Sequence, residues 1–155
     1  MAGSAIHPVT ILLAEDDDGH AILIQDALRD AGLLNAVLRF KDGRELLDHL
    51  DRHSEAGATQ PWGSHLLLLD INMPRVDGPE VLQAMKTAPH LKDLPVIMLS
   101  TTDDPREIQR CHDLGCSGYL TKPVNFLNFL SLLSRVGLFL QAVKCLPLGE
   151  EGGQA

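Results

Sequence analysis

The sequence predicts an α/β fold, a doubly wound five-stranded parallel sheet with five helices, and three observations carry that expectation. Short apolar runs rich in Val, Ile and Leu recur five times, an amphipathic segment follows each run, and the runs are apolar at successive rather than alternate positions. A strand that is apolar on both faces needs cover on both. Helical crossovers packed on a parallel sheet supply it.

The strands are expected over residues 9–14, 36–40, 66–69, 95–99 and 118–120, each of ordinary strand length. The amphipathic segments occupy 20–31, 43–53, 78–88 and 104–114, and a fifth starts at Asn125. Between the second helix and the third strand, residues 54–64 form a polar stretch containing Gly and Pro. It is long for a connection in a compact α/β unit and reads as a mobile surface loop. No internal repeat interrupts the pattern.

A chain of 155 residues fits one domain with a normal core. Lys and Arg total 13 against 21 Asp and Glu, a net charge of -8, and no basic run could track a phosphate backbone, so nucleic-acid binding is not expected. No apolar stretch is long enough to span a bilayer and no secretion signal opens the chain, which points to a soluble cytoplasmic protein. Cys111, Cys116 and Cys145 fall in no C-x-x-C spacing and read as reduced packing residues. His49 and His53 lie one helical turn apart beside Asp48 and Asp51; a solvated helix face is favoured over a metal site.

In a sheet of this kind ligands bind at the carboxyl ends of the strands, so the residues after each apolar run are the ones to read. The first run leads into Glu15, Asp16, Asp17 and Asp18, and the third into Asp70, Ile71, Asn72, Met73 and Pro74. Carboxylates aimed into one crevice repel each other unless a cation intervenes, and Mg2+ accepts a few carboxylate and carbonyl oxygens while keeping exchangeable waters. Ser100 closes the fourth strand with a hydroxyl, and Lys122 follows the fifth with a compact positive charge. Metal, lysine and hydroxyl together can hold the charge of a phosphoryl group in transfer. Each residue also has a plain reading. Asp17 and Asp18 before Gly19 fit a helix N-cap, and Asp70 to Pro74 fits a turn. Ser100 alone could be a turn residue and Lys122 a solvated one. Their arrival in order, each at a strand end, favours a site.

Four motifs, Ile-Leu-Leu-Ala-Glu-Asp-Asp at 11–17, Leu-Leu-Leu-Asp-Ile-Asn-Met-Pro at 67–74 with Asp77-Gly78, Leu-Pro-Val-Ile-Met-Leu-Ser at 94–100, and Gly-Tyr-Leu-Thr-Lys-Pro at 118–123, resemble the CheY-like receiver family. The resemblance implies the flavodoxin-like receiver fold, with the domain over 7–146 and a disordered tail over 147–155. It makes Asp70 the phosphoacceptor, with Glu15, Asp16, Asp70 and the backbone carbonyl of Asn72 around Mg2+, for which Mn2+ can substitute. Lys122 would pair with the phosphoryl group and Ser100 would hydrogen-bond it as the switch hydroxyl. Tyr119 matches the switch aromatic, with a half-buried strand tyrosine as the plain alternative. Asn72 and Thr102 match positions that tune hydrolysis of the aspartyl phosphate, and the Lys122-Pro123 peptide is implied to be cis. Asp17 stands where many such proteins have Asn, and Ala14 where Val is usual; neither removes a functional group.

The long loop, Ser100-Thr-Thr102, the 122–126 segment and Gly137-Leu-Phe-Leu140 further resemble the small response regulators of phytochrome photoreceptor kinases. That resemblance implies a histidine kinase as partner, with output through protein contacts because no output domain follows. The chain is unusually apolar from Phe126 to Leu148, which predicts a homodimer through the last helix, the fifth strand and the tail. Two rivals stand beside this reading: a receiver-shaped adaptor that never takes phosphate, and a haloacid-dehalogenase-like phosphatase. Asp16-Asp-Asp18 mimics the latter's D-x-D, but His20 stands where that family has Thr or Val, and the chain is short for a cap domain.

Overall fold

The computed structural model describes residues 10–30, 37–54, 62 and 65–135. Strands and helices alternate: β1 Thr10–Ala14, α1 Asp18–Asp30, β2 Val37–Phe40, α2 Gly43–Ser54, β3 His65–Asp70, α3 Gly78–Thr87, β4 Val96–Ser100, α4 Pro105–Asp113, β5 Gly118–Thr121 and α5 Phe126–Arg135. All four strand pairings are parallel, in the order β2-β1-β3-β4-β5. The order reverses between β1 and β3, which opens a crevice at their carboxyl ends.

Successive side chains of a strand point to opposite faces, and the apolar runs fill both. Leu12, Ala14, Leu67, Leu69, Val96 and Met98 pack on one side with Leu46, Leu50, Val81, Leu82, Met85 and Cys111 from α2, α3 and α4. Ile11, Leu13, Leu66, Leu68, Ile97 and Leu99 pack on the other with Ala21, Ile24 and Leu28 of α1 and Phe129 and Leu132 of α5. Each fully buried aliphatic side chain contributes about 1.5–3 kcal/mol, so these two layers hold the central strands rigidly beneath the crevice. Helix α3 starts with a full capping box: Asp77 accepts from the Glu80 N–H at 2.9 Å, and Glu80 accepts from the Asp77 N–H at 2.9 Å.

Two expectations change. His49 and His53 do not form a solvated face; both are half-buried. Their rings continue a stack from Phe40 through His49 and His53 to Trp62 and His65, with neighbouring centroids 4.7–6.3 Å apart. Within the stretch read as a mobile loop, Trp62 is buried, and its indole N–H donates to the His90 carbonyl at 2.8 Å. A large apolar ring with one polar handle is held at both ends, which a polar composition conceals. The rest of 55–64, the tail with Gly137 and Cys145, and residues 7–9 lie outside the described residues. Among the described residues no helix is long and apolar enough to cross a membrane.

Candidate functional site

The crevice is lined by the residues that leave β1, β3, β4 and β5. Glu15, the first residue past β1, is fully buried, whereas Asp16 is exposed and Asp70, the last residue of β3, is only 4% exposed. Glu15, Asp16 and Asp70 each offer a carboxylate oxygen within 4.8 Å of the others. Three hard oxygen donors at this spacing fit a small divalent cation such as Mg2+. Asn72 follows two residues after Asp70, with its side chain exposed.

Lys122 enters from the end of β5. Its ammonium lies 2.5 Å from Glu15 Oε1, 3.0 Å from Asp70 Oδ1 and 3.2 Å from His20 Nδ1. Burial works against its charge, but the hydrogen bonds to Glu15 and Asp70 outweigh it and hold the ammonium above its usual pKa. Asp70 is moved in the unfavourable direction. Burial, with repulsion from Glu15 and Asp16, raises its carboxyl to about 6 against the opposing pull of Lys122. A carboxylate held so near a proton gains from any cation that enters the crevice.

The backbone around Asp70 leaves little room for change. The Gly78 N–H donates to the Ile71 carbonyl at 2.8 Å, and a Cβ on Gly78 would collide with the Asp70 carbonyl oxygen and come within 2.8 Å of Ile71 Cα. Between them Arg75 takes a left-handed φ of 68°, and the Val76 N–H donates to the Pro74 carbonyl. The chain therefore bends sharply at 74–76, directly behind the rim of the crevice.

Ser100 is 2% exposed at the end of β4, and its Oγ accepts the Thr102 N–H at 3.1 Å. Half-buried Tyr119 donates its hydroxyl to the Thr102 carbonyl at 2.9 Å, so Ser100, Thr102 and Tyr119 are joined in one chain of bonds. The Lys122-Pro123 peptide is cis. Asp17 is a helix cap, its carboxylate accepting the His20 N–H at 2.8 Å, and Asp18 is drawn to Arg39 at 2.7 Å and Lys41 at 3.6 Å.

Two residues of the site were not singled out from sequence. His20, at the start of α1, reaches Lys122 as described. Arg39, from β2, donates to the Glu15 carbonyl and pairs with Asp18, bracing the loop that carries the acidic pair. The available signal was an arginine in the middle of a four-residue apolar strand.

The model of the response regulator receiver domain matches residues 11–134. The chain is 29% identical over 148 residues to the response regulator Rcp1 of a Synechocystis species, covering 95% of this chain and 99% of that one. The solved Mn2+-bound form of Rcp1 superposes with a TM-score of 0.62, covering 96% of this chain and 100% of that one at 28% identity. A receiver domain from Rhodospirillum rubrum is 45% identical, with a TM-score of 0.67, covering 85% of this chain and 93% of that one. The bacteriophytochrome response regulator AtBRR is 35% identical, with a TM-score of 0.73, covering 86% of this chain and 95% of that one. With a parallel sheet in the 2-1-3-4-5 order and an acidic crevice closed by a lysine, this chain belongs to the response regulator receiver family of two-component signalling.

Proposed function

We propose that the chain accepts a phosphoryl group from a histidine kinase onto Asp70 and signals through contacts with other proteins. The observation that carries this reading is the Lys122 ammonium 3.0 Å from the buried Asp70 carboxylate, opposite the Glu15 and Asp16 carboxylates. Asp70 supplies the nucleophilic oxygen and attacks the phosphorus of a phosphohistidine in line, with the histidine nitrogen leaving. Lys122, held at the crevice by its bond to Glu15, neutralises charge on the transferring group. Mg2+, or Mn2+ in its place, would be held by Glu15, Asp16, Asp70 and the Asn72 carbonyl. When bound it draws off negative charge from the phosphoryl oxygens.

An acyl phosphate at Asp70 presents new acceptors to Ser100, and a Ser100 hydroxyl turned to meet them gives up its present bond with the Thr102 N–H. That bond is one link in the chain to Tyr119, so the β4–α4 segment and the tyrosine move together. In this reading Ser100 and Tyr119 are the switch pair, and Asn72 and Thr102 tune hydrolysis at the rim. The chain is a phosphoacceptor rather than a turnover enzyme, with self-phosphorylation and autodephosphorylation as its own reactions. Similarity to the bacteriophytochrome response regulator AtBRR favours a phytochrome-linked kinase as donor. The receiver domain extends over 7–146, with 147–155 as a tail, and the protein acts in the cytoplasm.

A homodimer through α5, β5 and the tail is part of the proposal. It is supported by Leu127, which is 70% exposed on α5. Sedimentation of Leu127→Arg is expected to show monomer where the parent shows dimer.

The deciding experiment incubates the protein with Mg2+ and acetyl phosphate or a phosphorylated histidine kinase and reads the added mass. Label on the wild type and none on Asp70→Asn is expected. Absence of label on the wild type would replace this reading with a phosphorylation-independent adaptor.

A further inference from the structure

We infer that His20 is a positioning residue for Lys122, making a flexible lysine into a donor of fixed direction; this rests on the role proposed above for Lys122. An ammonium has three hydrogens and no lone pair. In this crevice the three meet three acceptors: Glu15 Oε1, Asp70 Oδ1 and His20 Nδ1, at 2.5, 3.0 and 3.2 Å. Facing an ammonium, Nδ1 can take part only as an acceptor, through the ring tautomer that carries its proton on Nε2. His20 Nδ1 also lies 3.8 Å from Glu15 Oε2, too far for a hydrogen bond, so its partner in the crevice is the lysine.

The three acceptors are not equivalent once Asp70 is phosphorylated. Asp70 then becomes the exchangeable partner, and its hydrogen on Lys122 is free to pass to a phosphoryl oxygen. Glu15 and His20 remain as two fixed anchors. Two anchors define where the third hydrogen points; a single anchor leaves a four-carbon stem free to rotate about one bond. His20 can hold this place without serving the core. Its side chain is 43% exposed, and its backbone N–H is already taken by the Asp17 cap.

His20→Ala, His20→Asn and the parent protein provide the test, because the Asn side-chain oxygen can occupy the place of Nδ1 and accept the same hydrogen. The first measurement is the Lys122 ammonium resonance in ammonium-selective 1H–15N spectra, assigned by its loss in Lys122→Met. We expect it to be visible in the parent, broadened away by exchange with water in His20→Ala, and restored in His20→Asn. The second is the rate of labelling at saturating acetyl phosphate and Mg2+. It is expected to fall ~5-fold in His20→Ala, the scale of one hydrogen bond of ordinary net strength, and to recover in His20→Asn, with Mg2+ affinity and Tm unchanged. A Lys122 resonance as sharp in His20→Ala as in the parent overturns the inference, as does an unchanged labelling rate. A wild type that takes no label overturns the phosphoacceptor reading instead, and the resonance still decides whether His20 anchors the lysine.

Discussion

Arg39 donates from both Nε and Nη2 to the backbone carbonyl oxygen of Glu15, at 3.0 and 2.9 Å. A strand on one side of β1 thus fixes the loop whose carboxylates face the strand on the other side. The forked guanidinium makes this a two-point attachment that an ammonium cannot reproduce. Arg39→Lys is expected to lower the affinity for Mn2+ or Mg2+ by roughly 3- to 10-fold and stability by about 1–2 kcal/mol. Calorimetric titration of the metal and urea unfolding check the two effects separately. Unchanged metal affinity would show that the acidic loop holds its shape without the brace.

The position of Asp70 has a cost in the metal-free protein. Its carboxyl is raised from 3.8 to about 6, so the folded state binds its proton more tightly than the unfolded chain does. The stability tied to that proton is fully present below about pH 4 and is lost as pH rises through 6. In chelator, Asp70→Asn is expected to be more stable than the parent by about 1–2 kcal/mol at pH 7.5, since Asn escapes the charge but loses the pair with Lys122. The difference should shrink on going to pH 4.5, and added Mg2+ should stabilise the parent more than the variant. Thermal melts across that range measure all three.

Gly78→Ala tests the tight approach behind the nucleophile. The new methyl would meet the Asp70 carbonyl and Ile71 Cα, both backbone atoms that no rotamer change can move. A loss of at least about 2 kcal/mol is expected, together with weaker metal binding in whatever fraction remains folded. Urea denaturation gives the first quantity and metal titration the second.

At the opposite end of β3 from Asp70, His65 Nδ1 is buried with no hydrogen-bond partner among the described residues. Burial, helped by the neighbouring His53 and His49, lowers the pKa of its ring from 6.5, so the folded state prefers it neutral. The sign is the reverse of that for Asp70: this stability is present above pH 6.5 and is lost as pH falls toward the lower folded value. His65→Phe is expected to gain about 1 kcal/mol at pH 7.5, by removing an unsatisfied nitrogen, and a larger margin at pH 5.5. Equal margins at the two pH values would show that the ring takes up its proton equally in the folded and unfolded states.

The architecture was legible in the sequence because apolar runs buried on both faces have few alternatives to a helix-covered parallel sheet. Over the described residues the predicted strands agree with the observed ones to within one residue at each end, and β3 extends to include Asp70 itself. Glu15, Asp16, Asp70, Ser100 and Lys122 were found for the same reason: each sits at a strand end, and the topology brings those ends together. Arg39 and His20 were not found, because their importance lies in reach. Arg39 pairs in register with Leu13 yet extends along the strand to Glu15, 24 residues away in the chain. The stack of His49, His53, Trp62 and His65 was misread because two histidines at helical spacing beside aspartates look solvated until a distant tryptophan is known to be buried against them.

The chain has one tryptophan, and its burial near the start of β3 assigns it a spectroscopic place. β3 runs six residues from His65 to Asp70, so its two ends lie roughly 17 Å apart at ~3.3 Å per residue step. Trp62 emission therefore follows unfolding of the sheet while remaining outside contact quenching by an ion or phosphoryl group in the crevice. Denaturation curves read from this indole report stability cleanly in the presence of Mn2+, and occupancy of the crevice requires a second probe placed at its rim.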